Sequence, residues 1–361
     1  MMLSAGNGFI MQSEKYSRDN AGQSLKKYIL LKKGELAYNH GASKAKQYGC
    51  CYELTENEAR IPYVYHCFKV CETEYTPYIA IALNNTKMDN QLKRLVSSSV
   101  RMDGLLNISF EDYMSITMSL PSSEEQKHIA DFLSKLDERI KAQERLVSSL
   151  KKYKRGVMQR IFRNMSMLSP SGFETVQLSA IFKKISRRNS NEEIKNVITN
   201  SAEYGLIPQR DFFDKDIAVD GNTSNYYVIE HGDFVYNPRK SNTAPYGPFN
   251  RYEREERGII SPLYTCLVLQ ADIEPSYLVW YFKSDDWYRY IYDNGSQGVR
   301  YDRVSMTDGL LMGIPVIIPS KEAQLKIAKL LDCLESRFQT ELSQYESLKS
   351  IRVALLQQLF I

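Results

Sequence analysis

Apolar residues recur every three or four positions along two long stretches of the chain, residues 122–162 and 320–361. This spacing is typical of an amphipathic helix that presents one apolar seam to a partner. The first seam begins with Ile129, Phe132, Leu136 and Ile140, and the second begins with Ile327, Leu330, Leu334 and Phe338. A helix of about 40 residues is about 60 Å long at ~1.5 Å per residue. We therefore predict two long helices that pack against each other.

Both helices have a recognisable start and a polar interruption. Ser122 follows Pro121 as an N-cap residue, and acidic side chains occupy the first turn behind it, which is the pattern of a capped helix N-terminus. Gln143 and Glu341 interrupt the two seams at positions 198 residues apart. Polar residues in a seam either fix the register of paired helices or face a partner, and the sequence leaves both options open.

The helices belong to a duplication that covers most of the chain. Pro121 matches Pro319 in the helical region, and Tyr38-Asn39 matches Tyr236-Asn237 far upstream, each at a separation of 198 residues. One fixed separation in two unlike regions indicates a duplicated unit made of a globular part followed by a helix. A two-fold-like arrangement of two such units requires antiparallel helices. A protein built this way is expected to recognise two features held at a set distance.

The globular parts have strand-like patterns rich in Val, Ile, Tyr and Phe. In the second part these are residues 226–229, 234–236 and 258–269, with a turn at 231–233, and an aromatic-rich helix is predicted at 275–292. In the first part, the corresponding strand-like segments are residues 28–39 and 63–70. We expect an α+β protein with two β-rich domains in tandem repeat, each followed by a long helix, the two helices pairing as an antiparallel coiled coil. The expected boundaries are 1–119 and 166–317 for the domains and 120–165 and 318–361 for the helices.

Composition limits the cellular locations and the classes of binding partner that are expected for this protein. The 361 residues contain no apolar run of 18 or more and no N-terminal signal pattern, so a cytoplasmic protein is expected. A net charge of +4 permits nucleic-acid binding without arguing for it. The 25 tyrosines suit recognition surfaces as well as half-buried strands.

Signatures of catalysis and of metal binding are missing from the sequence. The six cysteines lack paired metal-ligand spacing, and Cys67 and Cys266, 199 residues apart, are predicted to pack in cores. No phosphate-binding loop of the G-x-x-x-x-G-K-[ST] type occurs. The segment Tyr236-Asn237-Pro238-Arg239 departs from an adenine methyltransferase Asn-Pro-Pro-Tyr motif at Arg239. We expect a non-catalytic chain without a metal site.

Several segments together resemble the specificity subunits of type I restriction-modification systems. The resemblance is carried by residues 120–137 and 150–162 of the first helix, by the second copy at 318–332, and by Gly232–Pro238 and Ser261–Tyr264 in the second domain. It implies that each domain is a target-recognition domain for one half of a bipartite DNA sequence. It further implies that the helices set the spacing and bind adenine methyltransferase subunits, two in number, and that an ATP-dependent restriction subunit can join. S-adenosylmethionine, ATP and Mg would be bound by those partners.

Candidate DNA-binding residues are polar or cationic side chains on loops beside the strands, because such groups pair with base edges and phosphates. In the first domain they are Lys44, Lys46, Gln47, Lys93, Arg94 and Arg101, and in the second Arg239, Lys240, Asn242, Arg300, Tyr301 and Arg303. Each is also compatible with a solvated surface charge. Arg101 and Arg300 could instead anchor their own domains through Asp103 and Asp302. The basic cluster 151–155 is expected to be a solvated helix end with partner contacts.

The first domain is shorter than the second. No counterpart of residues 164–198 precedes it, so an incomplete sheet with an open edge is expected. Three functions follow: a DNA-specificity subunit that directs adenine methylation or cleavage by its partners, a non-discriminating subunit that acts as a decoy or domain reservoir, or an independent DNA enzyme. The first is favoured by the duplication and the helices, and the third lacks any visible cofactor pocket.

Overall fold

A computed structural model describes residues 1–15, 26–44, 46–96, 106–165, 172–212, 223–295 and 302–360 of the chain. The chain divides into two compact units. The first unit is Met1–Leu146 with Glu341–Ile361, and the second unit is Val147–Thr340. Each unit therefore contains one globular domain and a part of both long helices. Among the described residues, no helix is long and apolar enough to cross a membrane.

The first unit has three small sheets and short helices. Its elements in chain order are β1 (Met2–Ser4), β2 (Gly8–Ile10), α1 (Gln12–Lys15), β3 (Ile29–Lys32), β4 (Leu36–Asn39), β5 (Cys50–Glu53), β6 (Glu58–Ile61), β7 (His66–Phe68), α2 (Thr76–Ala82), α3 (Thr86–Leu95), α4 (Phe110–Met114) and the start of α5 (Ser123–Arg163). The sheets are β1-β2, β3-β6 and β5-β4-β7, all antiparallel.

The second unit has two four-stranded sheets and one strand pair. Its elements are the end of α5, then β8 (Phe173–Gln177), α6 (Leu178–Ile181), β9 (Phe182–Lys184), β10 (Val197–Ser201), β11 (Gly205–Pro208), α7 (Gln209–Phe212), β12 (Tyr227–Ile229), β13 (Phe234–Tyr236), β14 (Phe249–Arg251), β15 (Gly258–Ile260), β16 (Thr265–Leu269), α8 (Pro275–Lys283), α9 (Tyr288–Asn294), α10 (Asp308–Met312), β17 (Pro315–Pro319) and the start of α11 (Lys321–Leu359). The sheets are β11-β10-β15-β12, β14-β13-β16-β9 and β17-β8, and among the described strands of this unit only β10 and β15 pair in parallel.

The duplication is visible in strand register. In the first unit Leu36 pairs with Phe68 and Ala37 with Cys67, and in the second unit Phe234 pairs with Leu267 and Val235 with Cys266. Leu36 and Phe234 are 198 residues apart, whereas Cys67 and Cys266 are 199 apart, so the second repeat has one extra residue between these strands. The strands predicted at 226–229 and 234–236 and the turn at 231–233 are confirmed. The predicted segments 28–39 and 258–269 are each divided into two strands, 63–70 is a strand only over β7, and the predicted helix at 275–292 is divided into α8 and α9.

The described part of the first unit lacks counterparts of β8, α6 and β9, as the sequence predicted. β17 pairs with β8 over five residues, Pro315 to Pro319, but the equivalent residues 117–121 form no strand. β16 pairs with β9 on one side and with β13 on the other. Its equivalent β7 pairs, within the described residues, with β4 alone.

Each core is closed by both long helices. In the first unit Ala130 and Leu133 of α5 are buried together with Phe360, the residue after α11. In the second unit Ile327 and Leu331 of α11 are buried together with Phe162 of α5. The ring of Phe162 lies 5.7 Å from that of Tyr281 in an edge-on contact. Burial of a large apolar side chain stabilises by about 1.5–3 kcal/mol, so these helix ends are part of the domains and not appendages.

The two helices run antiparallel in both units. In the first unit Arg352 donates to Asp137 (Nη2–Oδ2 2.9 Å), and Gln143 donates to the side chain of Glu341 (Nε2–Oε2 2.7 Å) and to its backbone oxygen (2.9 Å). Residue numbers rise along α5 as they fall along α11, which confirms the predicted direction. Gln143 and Glu341 are repeat equivalents, so the polar interruptions of the two seams contact each other.

The second unit holds the repeat counterpart of the first unit's ion pair. Lys154 pairs with Glu335, and its ammonium also lies 4.5 Å from the ring centre of Phe338. Lys154 and Arg352 are 198 residues apart, as are Asp137 and Glu335. Burial disfavours ionisation of Glu335, but hydrogen bonds from Gln339 and Lys154 outweigh it and hold its pKa below the usual value.

The predicted seam residues are only partly in contact with the other helix. Ile327 is buried and most of the others are half-buried, but Phe132 is 54% exposed and Leu330 is 48% exposed. The buried positions are the next residues along, Leu133 at 1% and Leu331 at 0%. The physical reason is that each helix packs on its own globular domain as well as on the other helix, which widens the buried stripe.

A buried glutamine joins each helix start to its domain. Gln324, 3% exposed, accepts from Glu274 N (2.9 Å) and donates to Pro319 O (2.9 Å). Gln126, 0% exposed, accepts from Tyr75 N and donates to Pro121 O at 3.0 Å each. Since buried backbone groups must be paired, each glutamine amide satisfies one backbone donor and one backbone acceptor where the helix meets its domain.

We expect Gln324→Ala to lower the free energy of unfolding of the second unit by about 1–3 kcal/mol, because it removes the donor to the buried Pro319 O and the acceptor of the half-buried Glu274 N–H. Both tryptophans of the chain, Trp280 and Trp287, lie in this unit, so denaturant unfolding followed by tryptophan fluorescence reports on it. Arg337→Ala, an exposed site on the same helix, is the control and should change the value by less than ~0.5 kcal/mol. Equal effects of the two variants would contradict the assigned role of Gln324.

Candidate nucleic-acid interface

The loops after β4 and β13 share one backbone geometry. We call residues 39–49 the first frame loop and residues 237–247 the second frame loop. The hydroxyl of Tyr38 donates to Tyr48 O (2.6 Å), and that of Tyr236 donates to Tyr246 O (2.8 Å). Each of these tyrosine hydrogen bonds connects the last turn of the loop to the strand at which the loop begins.

Two further hydrogen bonds recur inside the frame loops. Asn39 Oδ1 accepts from Gly41 N and Asn237 Oδ1 accepts from Arg239 N, both at 3.0 Å. Such Asx turns fix the backbone two residues beyond the asparagine. Ser43 and Ser241 each close a tight turn with the residue three positions later, through both the backbone N–H and the hydroxyl.

Both frame loops end at a glycine that no other residue can replace without movement. Gly49 has φ +84° and Gly247 has φ +85°, in the left-handed region that L residues rarely adopt. A Cβ at Gly49 would lie 2.4 Å from Asn39 O, and one at Gly247 would lie 2.0 Å from Asn237 O. The close return of the chain onto its own loop therefore requires glycine in both repeats.

The side chains on this shared backbone differ. Where the first frame loop has Gly41, Ala42 and Lys44, the second has Arg239, Lys240 and Asn242. All except the half-buried Gly41 are exposed. The two repeats therefore present different hydrogen-bonding groups from equivalent backbone positions.

The second frame loop brings two candidate arginines together. Lys240 N donates to Asp302 O and Val304 N donates to Pro238 O, at 2.8 Å each. Between these bonds Arg239 and Arg303 stand directly opposite each other as an antiparallel bridge. Like charges at opposite positions destabilise a strand pair. Asp302 lies 3.7 Å from Arg303 and offsets part of that charge, so an anion bound at this pair would relieve the remainder.

The candidates of the first unit separate into two groups. Lys46 is half-buried, and its ammonium group donates a hydrogen bond to Asn84 O (2.6 Å), which is a contact within the domain. Lys44 and Gln47 remain exposed on the first frame loop. Lys93 and Arg94 are exposed in the last turn of α3, where a cation complements the helix dipole. Arg101, Arg300 and Tyr301 lie outside the described residues.

An aromatic cavity beside the second frame loop escaped the sequence reasoning. It has a volume of about 410 Å³ and is lined by Arg163, Tyr246, Asp285, Asp286, Tyr288, Arg289 and Tyr292. The rings of Tyr246 and Tyr288 are 4.9 Å apart. Tyrosine faces and arginines are the groups on which unpaired bases stack. The signal in the sequence is the density of tyrosine in residues 288–292, which by itself predicts only a helix.

The cysteines are free thiols. Cys266 is buried, and burial raises its thiol pKa to about 12; burial likewise raises that of the half-buried Cys67 to about 11. The core packing predicted for Cys266 is thus confirmed, while Cys67 is less deeply placed. No group of three or more metal-ligating side chains is found among the described residues.

The comparisons with known proteins agree with this architecture. Residues 14–152 match the family of the type I restriction modification DNA specificity domain. The chain is similar to a solved structure from work on complex assembly and conformational transition of the type I R-M system. The sequence identity is 17%, the alignment covers 92% of this chain and 82% of that chain, and the TM-score is 0.53. It is also similar to the type I restriction-modification S subunit from M. genitalium (17%, 91% and 83%, TM-score 0.52). No curated protein sequence matches the chain significantly.

A further similar structure is the HsdS subunit from Thermoanaerobacter tengcongensis (16% identity, 92% of this chain and 81% of that chain, TM-score 0.48). The matched region corresponds to the DNA specificity domain of restriction-modification systems, and the second repeat has a frame loop of the same backbone geometry. The family match thus covers the first domain and most of the first long helix, as the sequence resemblance implied, and the similar structures extend the same fold to nearly the whole chain.

We expect Gly247→Ala to destabilise the second unit more than Gly232→Ala does. Gly232 also has a positive φ, +92°, but a Cβ there would meet nothing closer than 3.6 Å. Gly232→Ala should cost only the left-handed penalty of about 1–2 kcal/mol, and Gly247→Ala should exceed it because the loop must open. Tryptophan-detected unfolding measures both. Equal losses would mean that the close return of the loop is not a constraint.

Proposed function

We propose that this chain is a DNA sequence-specificity subunit that reads a bipartite target and directs adenine methylation, cleavage or both by partner subunits. The supporting observation is the pair of frame loops. Equivalent hydrogen bonds fix the backbone around Gly41, Ala42 and Lys44 in one repeat and around Arg239, Lys240 and Asn242 in the other. A fixed scaffold with different polar side chains is what two readers of different half-sites require.

The chemistry of the second frame loop suits DNA. Arginine pairs bidentately with guanine O6 and N7 or with phosphate, and asparagine pairs with adenine N6 and N7. Arg239, Lys240 and Asn242 lie within four consecutive positions and are all exposed. The opposed Arg239 and Arg303 add a local positive potential that attracts the phosphate backbone.

Catalysis is assigned to partners. In this proposal the chain works in the cytoplasm and carries no cofactor, while S-adenosylmethionine, ATP and Mg are bound by two adenine methyltransferase subunits and by a restriction subunit where one is present. The double-stranded DNA contacts are proposed for the residues named above, and Arg101, Arg300 and Tyr301 remain candidates beside them.

Grafting the side chains of the first frame loop onto the second tests the proposal. The triple variant Arg239→Gly, Lys240→Ala, Asn242→Lys should change or abolish one half of the methylated motif and leave the other half and the spacing unchanged. Each specific base contact is worth about 1–3 kcal/mol, which is about a 5- to 150-fold loss. The readout is a single-molecule methylome of a methylation-free host that also expresses the cognate adenine methyltransferase.

The matched control is Arg254→Gln, which removes an exposed arginine of the same unit outside the second frame loop. It should leave the motif intact. An unchanged motif in the triple variant would exclude the second frame loop as a reader. Loss of both half-motifs would instead indicate a folding or assembly defect.

The exposed apolar residues of the helices are proposed to bind the methyltransferase. Phe132 and Leu330 are 198 residues apart and expose 54% and 48% of their surfaces. Equivalent apolar sites on the two helices suit two copies of one partner, because each copy meets the same local surface.

We expect Phe132→Asp and Leu330→Asp each to reduce the methyltransferase content from two copies toward one, and the double variant to remove both. Native mass measurement of the co-purified complex gives the stoichiometry. Leu263→Asp, which alters an exposed leucine away from the helices (59% exposed), is the control and should retain two copies. Full stoichiometry in the double variant would place the docking surface elsewhere.

A second candidate function is a decoy or domain reservoir that binds methyltransferase without discriminating DNA. It is favoured by one observation, the missing counterparts of β8, α6 and β9 among the described residues of the first unit. The methylome distinguishes the two: a bipartite motif supports the specificity subunit, and a stable complex without methylation supports the decoy.

A further inference from the structure

Each unit contains a second equivalent loop, which is a tight hairpin turn. In the first unit Ser4 of β1 pairs with Gly8 of β2, and in the second unit Ser201 of β10 pairs with Gly205 of β11. The closing glycines have φ values of +70° and +73°. We call residues 4–8 the first hairpin turn and residues 201–205 the second hairpin turn. Their sequences, Ser-Ala-Gly-Asn-Gly and Ser-Ala-Glu-Tyr-Gly, lie 197 residues apart and differ only at the third and fourth positions.

Three asparagines hold the second hairpin turn beside the second frame loop. Asn237, the first residue of that loop, donates from Nδ2 to Asn200 O (3.0 Å), and its Oδ1 accepts from Arg239 N (3.0 Å). Asn250 donates to Asn200 Oδ1 (2.7 Å) and to Ser201 O (3.1 Å). Asn200 and Asn237 are 4% and 5% exposed. A satisfied polar network at such buried positions fixes its members in one arrangement, so the turn and the loop have a fixed relative position.

The first hairpin turn is held at the equivalent place by a different side chain. Tyr52 is the repeat counterpart of Asn250, 198 residues away, and its hydroxyl donates to Ala5 O (2.9 Å). Both residues lie on the strand that follows a frame loop, Tyr52 on β5 and Asn250 on β14. The duplication has therefore kept each hairpin turn next to its frame loop, although the residues that make the contact have changed.

The two hairpin turns present different side chains from this common place. Gly6 and Asn7 of the first turn are exposed, as are Glu203 and Tyr204 of the second, where 62% of Tyr204 is exposed. The Glu203 carboxylate only accepts hydrogen bonds, whereas the arginine and lysine side chains of the second frame loop only donate them. The second hairpin turn and the second frame loop therefore offer opposite hydrogen-bonding groups at neighbouring positions. The edges of DNA base pairs present donors and acceptors that such a combination can match.

We propose that the second hairpin turn is a further base-reading element. In it, Glu203 accepts a hydrogen bond from the amino group of a cytosine or an adenine next to the bases that the second frame loop contacts. This inference rests on the proposed function and adds a specificity-determining residue to it. Cytosine N4 and adenine N6 are the amino groups that the major groove presents. The first hairpin turn, with Gly6 and Asn7 at the equivalent positions, takes the same part in the other half-site with different chemistry.

The charge of Glu203 gives this residue a role in specificity more than in affinity. A carboxylate close to the DNA backbone is repelled by the phosphates. A base that donates from an amino group offsets that repulsion, so Glu203 weakens binding to every sequence that lacks such a base at this position. Removal of the charge should lower discrimination and raise the affinity for unrelated DNA. The loss of a purely structural contact does not produce this combination.

The test is Glu203→Gln in the full chain, co-expressed with the cognate adenine methyltransferase. The glutamine amide keeps the shape of the side chain but donates as well as accepts. In the single-molecule methylome, one position of one half-motif should become degenerate, while the other half-motif and the spacing stay unchanged. Whether that position is a G·C or an A·T pair in the wild-type motif identifies the amino group as cytosine N4 or adenine N6.

Binding by the purified complex gives the magnitude. Discrimination against a site altered at that base pair should fall by about 5- to 150-fold, the range for one specific base contact, and the affinity for unrelated DNA should rise. Glu174→Gln removes the same charge from an exposed glutamate on β8 of the same unit and should leave both the motif and the discrimination unchanged.

A second variant separates recognition from folding. Glu203→Gly combined with Tyr204→Asn introduces the residues that the first hairpin turn already carries in the same hairpin register, and it should change the same half-motif. The proposal is overturned if neither variant changes that half-motif, or if Glu174→Gln changes it equally. A change by the triple variant of the second frame loop alone would then leave the proposed function in place. A wild-type chain that directs no bipartite methylation would overturn both.

Discussion

The antiparallel pairing of α5 and α11 is the constraint on which both domains depend. The first unit's core contains Ala130 and Leu133 from one helix and Phe360 from the end of the other. The second unit's core contains Ile327 and Leu331 from α11 and Phe162 from α5. A slip of the helices by one turn, about 5.4 Å, would withdraw apolar side chains from both cores. The Gln143–Glu341 contact and the ion pairs of Asp137 and Glu335 oppose that slip. These contacts fix the register of the two helices more than they stabilise the fold, because partly exposed ion pairs add little to the free energy of unfolding.

The duplication has preserved backbone geometry and changed side chains. Tyr38 and Tyr236 clamp equivalent carbonyls, and Gly49 and Gly247 make equivalent close returns. These residues act within their own loop, so altering one of them breaks the scaffold whatever the loop recognises. Exposed side chains such as those of Ala42 and Lys240 make no such bond within the loop and can differ. The division between frame and surface follows from which atoms satisfy backbone hydrogen bonds.

Sequence reasoning captured what is periodic or duplicated, and it missed what depends on packing in three dimensions. The helices, their direction, the strands near 226–236 and the shortened first domain were all predictable from residue pattern and separation. Phe132 and Leu330 were placed in the seam because a repeat of three and four cannot show which neighbour a helix packs on. β12 and β13 follow each other closely yet belong to different sheets. Lys46 looked like a DNA ligand, and only the fold reveals its bond to Asn84 O.

The core of the second unit explains how an unfavourable arginine pair persists on its surface. Below the second frame loop, Phe182, Phe234, Phe249 and Phe282 pack within 6.3 Å of one another, and Trp287 joins them. Such a cluster fixes β13 and β14, and with them the ends of the loop. The rigid loop then holds Arg239 opposite Arg303 before any ligand arrives. The repulsion is therefore already present in the free protein, and an anion bound at the proposed site would relieve it.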